Sequence, residues 1–323
     1  MGGEYHLRLV VRVRGKKPIG GIEEAKSIVV SGIEVAVRLK PPILSFVAEG
    51  FSSEEEALAY LPNLKIGLWS ISIAYDIPFK PEFNRLPIYP YDDPKRAAIN
   101  LFPRKAGVDE EFHGAVQGEG YFIYRTGERI ASITTGDVSL ESTIAWENAS
   151  KSFEDGLRIS NASQIDDDEN LRVALELFTS SLYEVTIRAR FVTLISCLEV
   201  LAPELDRHSR VVECFDRFEA DLRSTIDRES DPVIIASLKA ALSDAQWKRR
   251  ASIGERIRQL IGQAAAATGK NVDEEVRRIK DIYSVRSRIL HKGSVVESEL
   301  NQAYSYLRIT AKQILLLRLG LYG

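Results

Sequence analysis

The segment YSVRSRILHKG, residues 283–293, carries a guanidinium and an imidazole five residues apart, Arg286 and His291. Val272, Val276, Ile279 and Tyr283 lead into it at spacings of four, three and four, the rhythm of one apolar helix face. Leu290 continues that face, and Arg286 interrupts it. A charge on an inward stripe must be paired, or must line a cleft or a subunit interface. Glu199, set in the otherwise apolar run RFVTLISCLEVLAPE (residues 190–204), is the partner at hand. His291 falls in the last turn of the helix, which Gly293 ends as a C′ residue. The carbonyl end of a helix favours a cation, so an imidazole there suits acid/base work near neutral pH.

Amphipathic helices must position these groups. Leu171, Ala174, Leu175, Phe178 and Leu182 form a first stripe, opened by the acidic run 166–169. Phe191, Leu194, Ile195, Leu198 and Leu201 form a second, closed by Pro203, and Val211, Phe215, Phe218, Leu222 and Ile226 a third. Asp231-Pro232 reads as an N-cap with proline at the first helical position. Ile253, Ile257, Leu260 and Ile261 follow, and Asn271 with Glu274, and Ser294 with Glu297, cap the last two helices. The final stripe is Leu300, Tyr304, Leu307, Ala311, Ile314 and Leu315. Such a series with short connections implies a bundle.

The first half has a different texture. Tyr5, Leu7, Leu9, Val11 and Val13 alternate as in a half-buried strand, and SIVVSGIEVAVRLK offers two more strands around Ser31-Gly32, ended by Pro41-Pro42. Ser53 and Glu56 form a capping box for a short helix that Pro62 breaks or kinks. Residues 66–77 fit a helix or a strand equally. Pro78, Pro81, Pro87, Pro90 and Pro94 mark an irregular segment, and strands are expected at 120–124 and 129–134. Gly118-Glu119-Gly120 is a turn, since no Gly-Lys-Ser/Thr follows to make a phosphate loop. The fold expected is an α+β two-domain chain: a mixed α/β domain over 1–138, a connecting helix or linker over 139–165, and an all-α bundle over 166–323.

The Arg-to-His spacing on the penultimate helix, with Tyr283, Arg286, Ser287, Leu290, His291 and Gly293 and the upstream Glu-bearing helix, resembles the HEPN superfamily and its ApeA-like branch. The resemblance covers residues 166–323. It implies a homodimer that brings two Arg–His sets into one cleft and cleaves RNA without metal or cofactor. There His291 would move the proton of the ribose 2′-OH or of the leaving 5′-oxygen, and Arg286 would hold the scissile phosphate. Glu199 and Tyr283 would support them. Ser287 fills the position after the Arg, where members more often carry Asn, Asp or His. The resemblance further implies a toxin or antiphage effector with an antitoxin or regulatory partner. The alternative is a non-catalytic HEPN module that binds a nucleotide or a partner protein.

The net charge of −3 excludes a general attraction for nucleic acid, so an RNA site must be local. Residues 246–292 supply one, with twelve Lys or Arg against five Asp or Glu. Arg277, Arg278, Lys280, Arg288 and Lys292, with Lys248-Arg249-Arg250, Arg256 and Arg258, could collect phosphates, or simply form a solvated helix face. His6, His113 and His208 lack metal-ligand spacing and read as surface or satisfied residues. Trp69, Trp146 and Trp247 read as packing residues. Cys197 and Cys214 lie in apolar helical patterns and read as buried thiols of a reducing compartment. No secretion signal or apolar span stands out, and a cytoplasmic, non-membrane protein is expected.

Overall fold

The alternation at the start of the chain builds β1 (Tyr5–Arg12), whose Leu7, Leu9 and Val11 are fully buried. In this computed structural model residues 4–13, 19–20, 25–40, 43–79, 83–92, 113–133 and 144–322 are described. The expectations for Pro41-Pro42, Pro81, Pro94, Thr134 and the boundary at 138 lie outside them. SIVVSGIEVAVRLK folds as β3 (Lys26–Val30) and β4 (Ile33–Lys40), and Ser31 and Gly32 both take positive φ, 53° and 84°. That is the pair of conformations a two-residue hairpin turn requires. With β5 (Ile43–Phe51) and β8 (Gly120–Arg125) these strands form a sheet of order β3-β4-β5-β1-β8. β2 (Ile19–Gly20) pairs with β10 (Ile144–Ala145), and β6 (Tyr89–Pro90), β7 (Gly114–Gln117) and β9 (Ile130–Ile133) form a third small sheet.

One face of the large sheet is apolar at its centre: Leu7, Leu9, Val35, Val37, Leu44 and Phe46 are all buried. Phe46 stacks at 4.7 Å on Phe153 of a helix over Trp146–Leu157. Two helices precede that one. α1 (Glu54–Ala59) is capped by Ser53, which accepts from the Glu56 amide at 3.1 Å. α2 (Leu61–Tyr75) begins with Pro62 in its first turn, so the proline separates two helices as expected. Residues 66–75 are helical, and most of them are buried.

The Trp146–Leu157 helix, α3, is a packed element and not a mere connector. A Cβ placed on Gly156 would lie 2.6 Å from the Cα of Gly67 on α2, so the two backbones touch where these glycines meet. α4 (Ala162–Asp167) and α5 (Glu169–Tyr183) follow. The helical region continues with α6 (Ile187–Leu201), α7 (Ser209–Arg228), α8 (Pro232–Trp247), α9 (Ile253–Ala267), α10 (Val272–Lys292) and α11 (Glu297–Arg318). The chain therefore has an N-terminal region of small sheets and a C-terminal all-helical region.

Compact units are drawn by packing and not by composition. One comprises Met1–Leu194 and Tyr304–Gly323, the other Ile195–Ala303, so α5 and the end of α11 group with the sheet. The stripes of α6 and α11 are buried as their spacing predicts. The stripe of α7 is not: Val211 and Phe218 are exposed, and of its five apolar positions only Leu222 is buried. α7 and α8 run as a hairpin with one apolar seam, and the rest of each helix faces solvent. This exposes Cys214, against expectation, whereas Cys197 on α6 is fully buried. Trp69 and Trp146 are core residues, but Trp247 at the end of α8 is 72% exposed. Among the described residues no helix is long and apolar enough to cross a membrane.

Candidate functional site

The site lies in the second unit, where α10 runs beside α9. Ser252 and Glu255 form a capping box at the start of α9, and Asn271 caps α10 by accepting from the Glu274 amide at 3.1 Å. Side chains of α10 pack against glycines of α9. Val272 and Val276 lie by Gly262, and Tyr283 by Gly254. α9 thus begins level with Tyr283, and the last two turns of α10 run past it. Arg286, Ser287 and His291 stand on that overhang.

The overhang corrects the expected phase of the helix. Ile279, Ile282, Val285 and Ile289 form the buried face, whereas Leu290 is 50% exposed. Arg286 stands at the margin of the core, with its side chain 28% exposed. Its Nη2 lies 3.3 Å from Glu199 Oε1, the pairing expected for an inward guanidinium, and its Cζ lies 5.5 Å from the centre of the Tyr283 ring. Tyr283 donates its hydroxyl to the same Glu199 oxygen at 3.1 Å. Burial, then the Glu199 charge, pushes the Tyr283 phenol above its ordinary value, and Arg286 partly offsets this. The phenol therefore stays a donor, and one carboxylate oxygen holds two side chains of α10.

α6, which carries Glu199, is held at its carbonyl end by Arg256. That guanidinium donates to Ala202 O at 2.7 Å and to Pro203 O at 2.8 Å, a charged cap on a helix terminus whose Leu201 and Ala202 are buried. Nothing in the spacing of Arg256 announced this; in the sequence it is one cation among many. Inward of Glu199, Leu194, Ile195, Cys197, Leu198 and Leu201 are all buried.

His291 is exposed and makes no hydrogen bond or ion pair among the described residues. Gly293 ends the helix at φ 66°, its amide donating to Ile289 O at 3.1 Å. Five helical residues turn a side chain through about 140° and raise it about 7.5 Å, so Arg286 and His291 leave α10 in different directions. His291 instead continues an exposed stripe, Arg277, Lys280, Ser284 and Ser287, at spacings of three, four, three and four. The stripe is about 21 Å long. Arg288 beside it pairs with Glu299, and Lys292 lies exposed on its flank. Arg278 is off the stripe, 3.9 Å from Glu275.

The wider cationic stretch is partly neutralised. Arg249 pairs with Asp216 at 2.7 Å, and Arg250 with Glu204 at 3.8 Å. Arg249 and Arg250 line a cleft of about 680 Å³ with Asp206, Ser209, Val212, Glu213 and Gln246, of mixed charge. Of the other histidines, His113 accepts from the Arg129 amide and His208 from the Arg210 amide, each through Nδ1. His6 Nδ1 is buried and lies 3.9 Å from Glu49.

The structure thus brings Glu199, Tyr283 and Arg286 together, places Ser287 and His291 on a neighbouring exposed face, and aligns Arg277 and Lys280 with His291. No family model, curated protein or solved structure matches the chain.

Proposed function

We propose that the chain is a HEPN-type endoribonuclease that cleaves RNA without a metal ion. The observation that carries this reading is Arg286, anchored by Glu199 and Tyr283 on the overhang of α10, with exposed His291 at the carbonyl end of the same helix. His291 takes the proton of a ribose 2′-OH as that oxygen attacks the adjacent phosphorus. The bond to the 5′-oxygen breaks, the leaving oxygen takes up a proton, and the products are a 2′,3′-cyclic phosphate and a 5′-hydroxyl. Arg286 stabilises the extra charge on the phosphorane. The Arg277–Lys280 stripe leads the RNA backbone toward His291.

Because Arg286 and His291 diverge on one helix, two copies would supply the complementary groups to one cleft, so the reading includes a homodimer. An RNA-cutting effector needs restraint, and a toxin or antiphage role with an antitoxin or regulatory partner belongs to the same proposal. The Arg286–Glu199 pair also favours a second reading, a non-catalytic module whose guanidinium is part of a ligand pocket or simply a brace.

Purified protein, a mixed RNA pool and EDTA decide between them. Cleavage that leaves cyclic phosphate ends and is lost in His291→Ala, with the fold intact, supports the nuclease. RNA or nucleotide binding without cleavage, weakened by Arg286→Ala, supports the binding module.

A further inference from the structure

The second face of the large sheet, opposite its helix-covered side, is divided. Its apolar end gathers Val10, Val116, Phe122 and Ile130, packed by Ile43, Leu86, Ile88 and Tyr124. Beside this cluster lies a group of polar side chains from four adjacent strands. Register places Arg8 of β1 between Val47 of β5 and Phe122 of β8, His6 between Glu49 and Tyr124, and Ser45 of β5 opposite Arg38 of β4.

Arg8 is the unusual member. Its Nε donates to Ser45 Oγ at 2.9 Å, and its Cζ lies 5.8 Å from the centre of the Phe122 ring. No carboxylate of the described residues lies within ion-pair distance of it, and burial weakens its hold on its proton. Arg8 is half-buried, and a guanidinium withdrawn from water is normally neutralised by a carboxylate. Glu49 on this face stands two positions further along, 3.9 Å from His6 and within electrostatic reach of Tyr124. Arg38 adds like charge, and the Tyr124 hydroxyl is within electrostatic reach. Around them Ala36 and Val47 are half-buried and Arg38 is exposed, so the group is open to solvent. At the other end of β1, Arg12 is already paired with Glu119 at 2.6 Å.

We propose that Arg8, with Ser45 and Tyr124, is a binding site for an oxyanion, the phosphate or carboxylate of a small ligand. Among the described residues Arg8 has no counter-ion, and its Nε is held by Ser45, which leaves the two terminal nitrogens for bidentate contact. This inference is independent of the nuclease reading, because it rests on the sheet unit alone.

The test is calorimetric titration of the full chain with inorganic phosphate and, separately, with acetate, at constant ionic strength. Saturable one-to-one binding is expected. Its dissociation constant should rise about tenfold in Arg8→Lys, which keeps charge and fold but loses the fork. It should rise several-fold in Ser45→Ala, and Arg8→Gln should abolish it. A preference for phosphate identifies a phosphate-bearing ligand, and a preference for acetate a carboxylate. Absence of saturable binding by either anion overturns the proposal. So does binding unchanged in folded Arg8→Lys and Ser45→Ala but lost in Arg286→Ala, which would place the anion in the helical unit.

Discussion

Glu199 stands 3.3 Å from Arg286, and the same Oε1 accepts the Tyr283 hydroxyl at 3.1 Å. A single carboxylate on α6 is therefore the fixed point for two residues of α10. Removing it strands both, whereas removing either partner leaves the other contact. Glu199→Ala should cost about 1–3 kcal/mol in urea unfolding, more than the roughly 0.5–1.5 kcal/mol of Tyr283→Phe. In the double variant with Arg286→Ala the two losses should not add. Strict additivity would mean that the carboxylate and the guanidinium act independently.

Arg256 holds the carbonyl end of the same helix, about one turn past Glu199, through Ala202 and Pro203. Arg256→Ala leaves those carbonyls without their charged donor and should lower stability by about 1.5–3 kcal/mol. Arg256→Lys should recover only part, because one ammonium cannot reproduce the two-pronged contact. If Arg256→Ala leaves the urea midpoint unchanged, the cap contributes nothing to holding α6.

The two thiols differ sharply. Cys214 is exposed and Cys197 fully buried, its thiol pushed up to about 12 by desolvation. Native protein should react at Cys214 alone with an aromatic disulfide reagent, and at both positions once unfolded. The folded pKa of Cys197 is raised above its usual 9.0, so its contribution to stability is complete below pH 9 and is lost as pH climbs toward 12. The unfolded chain releases that proton first. In that window Cys197 should add a slope of about 1.4 kcal/mol per pH unit, which Cys197→Ala removes.

Much of this arrangement is legible in the sequence, for reasons that differ by element. Strand alternation around Leu7 and Leu9, the Ser31-Gly32 turn, the caps at Ser53 and Asn271 and the buried faces of α6 and α11 follow from local rules. The pairing of Arg286 with Glu199 follows from the cost of an inward charge. The phase of α10 does not, because Val272, Val276, Tyr283 and Leu290 form one apolar stripe and Ile282, Val285 and Ile289 another. Which stripe is covered depends on where α9 begins along α10, and that is tertiary information. The exposure of Phe218, Cys214 and Trp247 was hidden for the same reason, since a spacing pattern cannot tell a two-helix seam from a full core. The role of Arg256 depends on a carbonyl 54 residues away in sequence.

The contact of Gly67 with Gly156 is a further place where packing dominates. Gly156→Ala would set a methyl group 2.6 Å from a backbone carbon that has no side chain to move aside. Overpacking of this kind costs about 1–3 kcal/mol. Thermal unfolding should show the loss at once, and Gly127→Ala, at a turn with open space around it, provides a comparison limited to backbone strain.

The carboxylate that steadies Arg286 is also its resident anion. On the proposed function, an incoming phosphodiester brings one negative charge and must compete with a rival already docked. The pentacoordinate species brings two, and competes far better. Glu199 would thus act as a threshold: it blunts the affinity of the enzyme for intact RNA while yielding to the transition state, which shifts binding energy from recognition to rate. A nuclease so built would release uncut strands readily, a useful restraint in an enzyme that must share its surroundings with the RNA of its own cell.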